Sequence, residues 1–588
     1  MRKIFTMIIA LMMLPLMVKG ENAINIWDGS IASNFSGGNG TKNNPYLISS
    51  GAELAKLAND VNNGNSYKGM YFRLMDDIIL NDKLLNDEGN LNKDISDINQ
   101  WISIGSSFRK CFEGSFDGSD FVIKGMYIMT SILEPKGLWG YINNATIKNV
   151  VVEDSYIEGR SGIGGIIGFA EKSIISDCSS NISIIQKDYS SNAVGGIIGK
   201  SINTSITYCK NKSRIKGICE VGGIVGEMSG GLIEHSQNYG ILQGVENYLN
   251  STFGGIVGSI DDKAEVIHCE NFGSIVGLIN DVGGIAGCNE NGIISQCYNE
   301  GKIKANNSVG GILGSGSNII GTVLNCYNKA DLEGYTVVGG IVGLSYNSIK
   351  YCYNIGTITV NSDRGISGGI VGEKSGMGYP QFGCNCYYLE NTADGGVAGN
   401  DIKGLAEVCT KDQFIKGIVA WLLQKGQSEQ VWGQNLGNEE FPAWQKDYNK
   451  VIQLSFIDGS DITYRWINGG LVTLPVLEKD GYTFFWSYRS DGSSKVDKEI
   501  YIYNDLTFYA VWIKEPVTGI ESIEGVKVYT KDGSLFVQTS QREQVLIISM
   551  LGSVIKNDEQ TGLKQYYGLN PGIYVVRVGD QVFKVCLK

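Results

Sequence analysis

The chain has 588 residues, 79 of them glycine and only 8 proline, with 61 acidic against 49 basic side chains and a formal net charge of −12. A chain this long accommodates several domains, and its acidic balance excludes a nucleic-acid partner, whose phosphates require a basic surface. Glycine at about twice its usual share, without matching proline, points to tight turns between short strands and away from a flexible linker.

Residues 1–20 read as a secretory signal peptide: Arg2 and Lys3 form the charged start, Ile4 to Val18 the apolar run, and Val18-Lys19-Gly20 a loose cleavage pattern. The run is short for a bilayer span, and the first cysteine, Cys111, lies far from the cleavage point. Residues 21–136 are expected to form an N-terminal cap and leader. Within them Ser50-Gly51-Ala52-Glu53 is a capping box. It opens a short helix with Leu54, Leu57, Ala58 and Val61 on one face, placed to cover the first coil of a repeat array.

The middle of the chain carries Gly-Gly-Ile-x-Gly eight times, with isoleucines at 166, 197, 224, 256, 285, 312, 341 and 370. The period is about 29 residues, in the range that marks stacked repeats. A second phrase, roughly Cys-x-Asn-x-Gly, comes after it each time. Its first position is Cys178, Cys209, Ser236, Cys269, Cys297, Cys326 and Cys352, and its asparagines are Asn211, Asn238, Asn271, Asn299, Asn328 and Asn354. A third piece, clearest at Gly356 to Val360, alternates with the period of a strand. Helical repeats are disfavoured, because each Gly-Gly pair would penalise a helix by about 1 kcal/mol per glycine.

The prediction is therefore an all-β chain built on a β-solenoid of the parallel β-helix kind, with short capping helices. Coils spaced by about 4.8 Å would stack isoleucine on isoleucine and cysteine on cysteine inside. Asparagines would stack at the corners, bonded to their copies and tolerant of left-handed backbone. Paired glycines would serve sharp turns or close approach of neighbouring backbone. Gly137-Leu138-Trp139-Gly140 reads as a degenerate first copy, and nine coils would make a rod on the order of 40 Å long. Over roughly 137–390 these phrases resemble the GLUG motif of bacterial surface and secreted proteins, so 137–400 is taken as the solenoid. Trp27-Asp28-Gly29, Asn44 to Ile48 and Phe116-Asp117-Gly118 are similar to the leader that precedes such arrays.

Beyond it, 401–450 is expected to cap the opposite end. Thr410-Lys411-Asp412-Gln413 is a capping box whose helix carries Phe414, Ile418, Trp421 and Leu422 and stops near Gly426. Residues 451–513 alternate aromatic strands. Leu474-Pro475, Gly481 to Phe484 and Phe508 to Trp512 resemble the Listeria–Bacteroides repeat, a small β-grasp-like module, with Phe485-Trp486 standing where that family has glycine-tryptophan. Residues 521–588 form a small C-terminal β-sandwich. Met550-Leu551-Gly552, Leu569 to Arg577 and Phe583 to Lys588 resemble the sorting domain of type IX secretion in Bacteroidota, which implies outer-membrane passage and, in many members, attachment to surface lipopolysaccharide. The alternative is a plain immunoglobulin-like terminal module.

Chemistry-bearing residues are few. The two histidines, His235 and His268, should stack about 5 Å apart just before the cysteine position, pointing outward. They read as solvated rings, because a metal site needs three or four ligands and the same position elsewhere holds Asp177, Tyr208, Gln296, Asn325 and Tyr351. A serine-protease triad, a zinc-protease motif and a phosphate loop have no match. A polysaccharide-cleaving solenoid would need clustered carboxylates, and Glu227 and Glu373 share a repeat position five coils apart. The ladder cysteines are read as buried free thiols, since parallel in-register side chains suit a disulfide poorly. Tyr298, Tyr327 and Tyr353, one residue past the ladder cysteines, should form an outward stripe that either stacks on sugar rings or apolar peptide, or packs as a surface ladder.

The expectation is an exported or cell-surface adhesin without catalytic groups, cofactor or metal. Its partner would be an extracellular protein or glycan, with Tyr298, Tyr327 and Tyr353 as the binding residues. The alternatives are a polysaccharide-active enzyme and a passive spacer.

Overall fold

The computed structural model describes residues 25–187, 193–245, 251–317, 320–346, 348–374, 385–400, 402–444, 448–514, 521–523 and 525–588. Residues 1–20, read above as a signal peptide, and Cys384 lie outside them. The chain divides into Met1–Tyr448 and Asn449–Lys588.

The first unit is a parallel β-solenoid of about 11 turns. One coil shows the rest: Val282–Gly283, Ala286–Asn289, Ile293–Ser295, Tyr298–Asn299 and Ile303–Lys304 are its five short strands. Each pairs in register with the same piece of the next coil: Val282 with Val309, Ala286 with Leu313, Tyr298 with Tyr327, Ile303 with Leu332. All eight phrase isoleucines are fully buried in one continuous core, each worth about 1.5–3 kcal/mol over an exposed side chain. Trp139 pairs with Ile167, so the degenerate copy is a true rung.

The paired glycines serve close approach. A Cβ on Gly284 would lie 2.1 Å from the Gly311 carbonyl oxygen and 2.3 Å from Cγ of Asn299, a distance no side chain tolerates. The space that glycine leaves is filled by the asparagine ladder. Each amide Nδ2 donates to the Oδ1 of the next: Asn211 to Asn238 at 2.7 Å, Asn238 to Asn271 at 2.8 Å, Asn271 to Asn299 at 2.7 Å, Asn299 to Asn328 at 2.9 Å and Asn328 to Asn354 at 2.8 Å. All six are fully buried. The Oδ1 also accepts the backbone N–H two residues on, as Gly301 does to Asn299 at 3.1 Å, so a buried polar column is satisfied throughout.

The left-handed corner falls elsewhere than expected. It belongs to the residue before each cysteine: Asp177, Tyr208, His235, His268, Gln296, Asn325 and Tyr351 all have φ between 50° and 55°. The asparagine is extended and inside. Its side chain, not its backbone, is what the corner uses.

The leader extends the stack instead of merely covering it. Tyr46–Ile48 pairs with Tyr71–Leu74, which pairs with Ser115–Asp117, and that with Thr146–Lys148. The outer edge of Tyr46–Ile48 is met by an antiparallel bridge from Gly37 to Leu47, and a reversed chain there blocks further parallel addition. Helix α1 (Gly51–Asn62) buries Leu54, Leu57, Ala58 and Val61 as read from the pattern. Ser50 accepts from the Glu53 N–H at 3.4 Å, but the Glu53 carboxylate turns to the Ser49 N–H at 2.6 Å and the Ser36 hydroxyl, so the box is only half reciprocal.

In the second unit, Val451–Asp458 pairs antiparallel with Asp461–Asn468 and parallel with Leu506–Lys514, which pairs antiparallel with Tyr482–Ser487. Trp486 is buried and donates to the Pro475 carbonyl at 2.7 Å. The last module is one six-stranded antiparallel sheet. Its long strand Ser534–Ser549 is irregular between Thr539 and Glu543, and its halves bury Leu535 with Val537 and Val545 with Ile547 in one core. Thr530, on Val526–Lys531, donates to the Cys586 carbonyl of the last strand, Gln581–Leu587, at 3.2 Å.

Candidate functional site

Tyr298, Tyr327 and Tyr353 stack as a ladder, with ring centroids 4.9 and 5.0 Å apart and planes within 8°. They are not a free face: Tyr298 is 8% exposed, Tyr327 4% and Tyr353 0%. The cover is the segment expected to cap the end. Thr410 and Gln413 form a full capping box for helix α2 (Lys411–Ile415), left-handed Gly417 breaks the chain, and helix α3 (Ile418–Gln424) comes next. Trp432 and Trp444 then lie against the rings at 5.6–6.1 Å, and the Tyr353 hydroxyl donates to the Pro442 carbonyl at 2.6 Å. Of the two readings of the stripe, the packed ladder is the one found, and Tyr298, Tyr327 and Tyr353 are not a binding face, because a strap of chain lies along them. The segment 401–450 closes the last coil through Ala406–Cys409, which pairs with Cys386–Leu389, and its later part runs beside four coils. Its buried face is Phe414, Val419, Ala420 and Leu423 rather than Phe414, Ile418, Trp421 and Leu422, since the break at Gly417 turns the second half.

The ladder cysteines are buried and free, donating to carbonyls as Cys297 does to Ser295 at 3.2 Å. Burial pushes the Cys178, Cys297 and Cys352 thiols well up, which keeps them protonated and unreactive.

The open face lies on the neighbouring strip of the same sheet. A groove of 630 Å³ is lined by Lys216, Gln243, Leu278, Lys304, Glu333 and Tyr335, with Asn306 and Asn361 among its further walls. Its floor is the in-register row Lys216, Gln243, Val276, Lys304 and Glu333, one residue from each of five coils. Coils at about 4.8 Å make that row roughly 20 Å long. Tyr335 is 53% and Leu278 56% exposed. Glu333 is held by Lys304 at 2.8 Å and by the Asn361 amide at 2.9 Å, and these two partners keep its carboxyl below the usual range. The backbone N–H of Tyr335 donates to the Asn306 carbonyl at 2.7 Å. A presented ring, fixed amides and a paired charge thus line an open trough.

A second cluster escaped the sequence reading. Burial, then the neighbouring Glu227 carboxylate, push Glu220 up to about 7, against a partial offset from Lys200. Lys200 pairs with Glu227 at 2.6 Å across adjacent coils. The two carboxyl groups are seven residues apart in one coil, on either side of the Gly-Gly-Ile phrase, so comparing equal repeat positions never brings them together.

The histidines are stacked as expected, with centroids 4.8 Å apart and planes 5° off parallel, and Tyr208 continues the stack at 5.0 Å from His235. His235 is exposed as read, whereas His268 is half-buried. Burial, then His235, hold His268 below the ordinary imidazole value. Trp444 of the strap meets His268 edge-on at 5.8 Å.

The model of the GLUG motif family matches residues 280–304, within one coil. A protein of Evansella cellulosilytica named as a Gly-rich membrane protein is 28% identical over 198 residues, 33% of this chain and 21% of that protein. The immunoglobulin A1 protease of Streptococcus sanguinis is 25% identical over 159 residues, 26% of this chain and 8% of the protease. The chain thus spans about a fifth or less of the length of these relatives. A crystal structure from Bacteroides ovatus that carries the name of an immunoglobulin A1 protease is 18% identical, with a TM-score of 0.29 over 71% of this chain and 98% of that one.

Proposed function

We propose that the chain is a secreted or surface-displayed binding protein that holds an extended glycan along its lateral groove. The carrying observation is the row across five coils, with the exposed Tyr335 ring at one end of the same groove and the hydrogen-bonded amides of Asn306 and Asn361 beside it. An aromatic face with amide donors and acceptors suits the alternating apolar and hydroxyl faces of a sugar chain. The trough runs parallel to the stacking direction, so a linear polymer would meet successive rungs. Similarity to a protein named for a membrane location and to a secreted-type repeat family supports an extracellular setting. In that setting the last module, 521–588, would serve sorting or attachment at the outer-membrane surface, including contact with lipopolysaccharide.

Cleavage of the polymer in this groove is not favoured. Among the described groove-lining residues Glu333 is the one carboxylate, whereas glycoside hydrolysis uses a pair. The test is a glycan array followed by calorimetry on the best hit, comparing wild type, Tyr335→Ala and the control Tyr208→Ala. Binding lost in the first variant and kept in the second is expected. Equal binding by all three would refute the groove, and release of new reducing ends would favour the enzyme reading.

A further inference from the structure

We propose that Glu234, His235 and His268 form a binding site for one Zn²⁺ ion, at the seam between two coils and the strap. The third ligand, which no equal corner position in the other coils supplies, is the residue immediately before His235. The Glu234 Oε1 stands 3.7 Å from Nε2 of His235 and 3.6 Å from Nδ1 of His268, and the three ligand atoms all lie within 4.8 Å of one another. Zinc takes imidazole nitrogen and carboxylate oxygen at about 2.0–2.2 Å, so two donors on one ion sit roughly 3–4 Å apart. The two Glu–His separations already match; the imidazole nitrogens stand up to 4.8 Å apart in rings only 5° off parallel, so binding requires one ring to turn out of the stack until both in-plane lone pairs meet the ion, closing the pair by roughly 1–2 Å.

An independent observation points to a ligand at this place. Nδ1 of His268 is buried and has no hydrogen-bond partner. The carboxylate oxygen facing it is too distant for a hydrogen bond and well placed to share a cation. The rings have aromatic neighbours on both sides: Tyr208 stacks on the outer side of His235, and Trp444 abuts His268. His235 keeps 40% of its side-chain surface exposed, which leaves a path for the ion and a water in the fourth position. Two histidines and one carboxylate with water form a donor set that zinc accepts. The ion would pin the strap to the coils, because Trp444 spans His268, Tyr298 and Tyr327.

The test uses the full chain stripped with a chelator and titrated with zinc chloride in a calorimeter, alongside Glu234→Gln, His235→Asn and His268→Gln. Gln296 and Asn325 occupy the same left-handed corner in other coils, so the histidine replacements preserve the fold, and an unchanged melting temperature of the metal-free variants checks this. Expected are one zinc per chain, a zinc-dependent rise in melting temperature, and at least about tenfold weaker binding in each variant. Cobalt substitution should give a spectrum without thiolate-to-metal charge transfer. The proposal is overturned by no binding at roughly 100 µM zinc, by variants that bind like wild type, or by a thiolate band that places the ion on the cysteines.

Discussion

Two rows of side chains run along neighbouring strips of one sheet and meet opposite fates. In the first, Tyr298, Tyr327, Tyr353 and Tyr387 repeat the same ring on successive coils. In the second, the residue changes from each rung to the next: Leu278, Asn306, Tyr335 and Asn361 stand two residues past the paired strand positions. The uniform row is buried under the strap and the varied row is open. Uniformity within a repeat array therefore marks a position committed to packing, where one ring shape must fit its copy above and below and the cover across it. The varied row has no such neighbour to satisfy, and there chemistry is free to differ from rung to rung.

Removing the cover should produce the largest effect. Trp432 is fully buried, packs on Tyr327 and Tyr353 at 6.1 and 5.6 Å, and donates its indole N–H to Asn325 at 2.9 Å. Trp432→Ala should destabilise the strap by about 3–5 kcal/mol, read as new proteolytic cleavage within 410–444 while the coils stay protected. Intact resistance to protease would mean that the tyrosine row does not depend on its cover.

A smaller loss is expected from cutting the uniform polar row beneath. Asn299→Ala removes an acceptor from Asn271, a donor from Asn328 and the acceptor for the Gly301 N–H. Stranding such groups costs about 1–3 kcal/mol, to be measured by urea unfolding of the solenoid. Asn299→Asp should do no better, since a buried carboxylate cannot donate onward.

The carboxyl pair gives an effect on the order of 2 kcal/mol that depends on pH. Glu220 in the folded chain titrates at about 7, against 4.5 for the free side chain. The folded state then holds the proton more tightly, so this contribution is full below pH 4.5 and lost as pH rises towards 7. Melting temperature should fall across that window, and Glu220→Gln should flatten the fall. An identical pH profile in the variant would mean that the pair plays no part in stability.

The sequence carried the repeat well, for a physical reason. A phrase whose glycines are forced by a 2.1 Å approach and whose isoleucines share one column cannot vary, so its spacing discloses coil length and core together. The leader was harder to read because its rungs, Tyr46–Ile48 and Tyr71–Leu74, lack the phrase and are separated by α1. Exposure was not legible at all for the tyrosines, since what covers Tyr327 comes from residues more than 100 positions later, in Trp432 and Trp444. Sites formed across a coil, such as Glu220 with Glu227 or Glu234 with the histidines, are invisible to comparison of equal positions.

The smallest expected change in stability distinguishes the two rows most cleanly. Tyr335 is half exposed and lies in the varied row, so Tyr335→Ala should alter stability by no more than about 0.5 kcal/mol. Its counterpart, Tyr327→Ala, empties a packed position between two stacked rings and two tryptophans, at a cost of about 3–5 kcal/mol. If glycan binding tracks the groove, the harmless substitution abolishes it and the damaging one leaves it intact until the strap unfolds. Measuring affinity and melting temperature on both variants separates the two rows by opposite signs: a ligand that tracks Tyr327 and ignores Tyr335 would return the binding face to the uniform row and require the strap to lift.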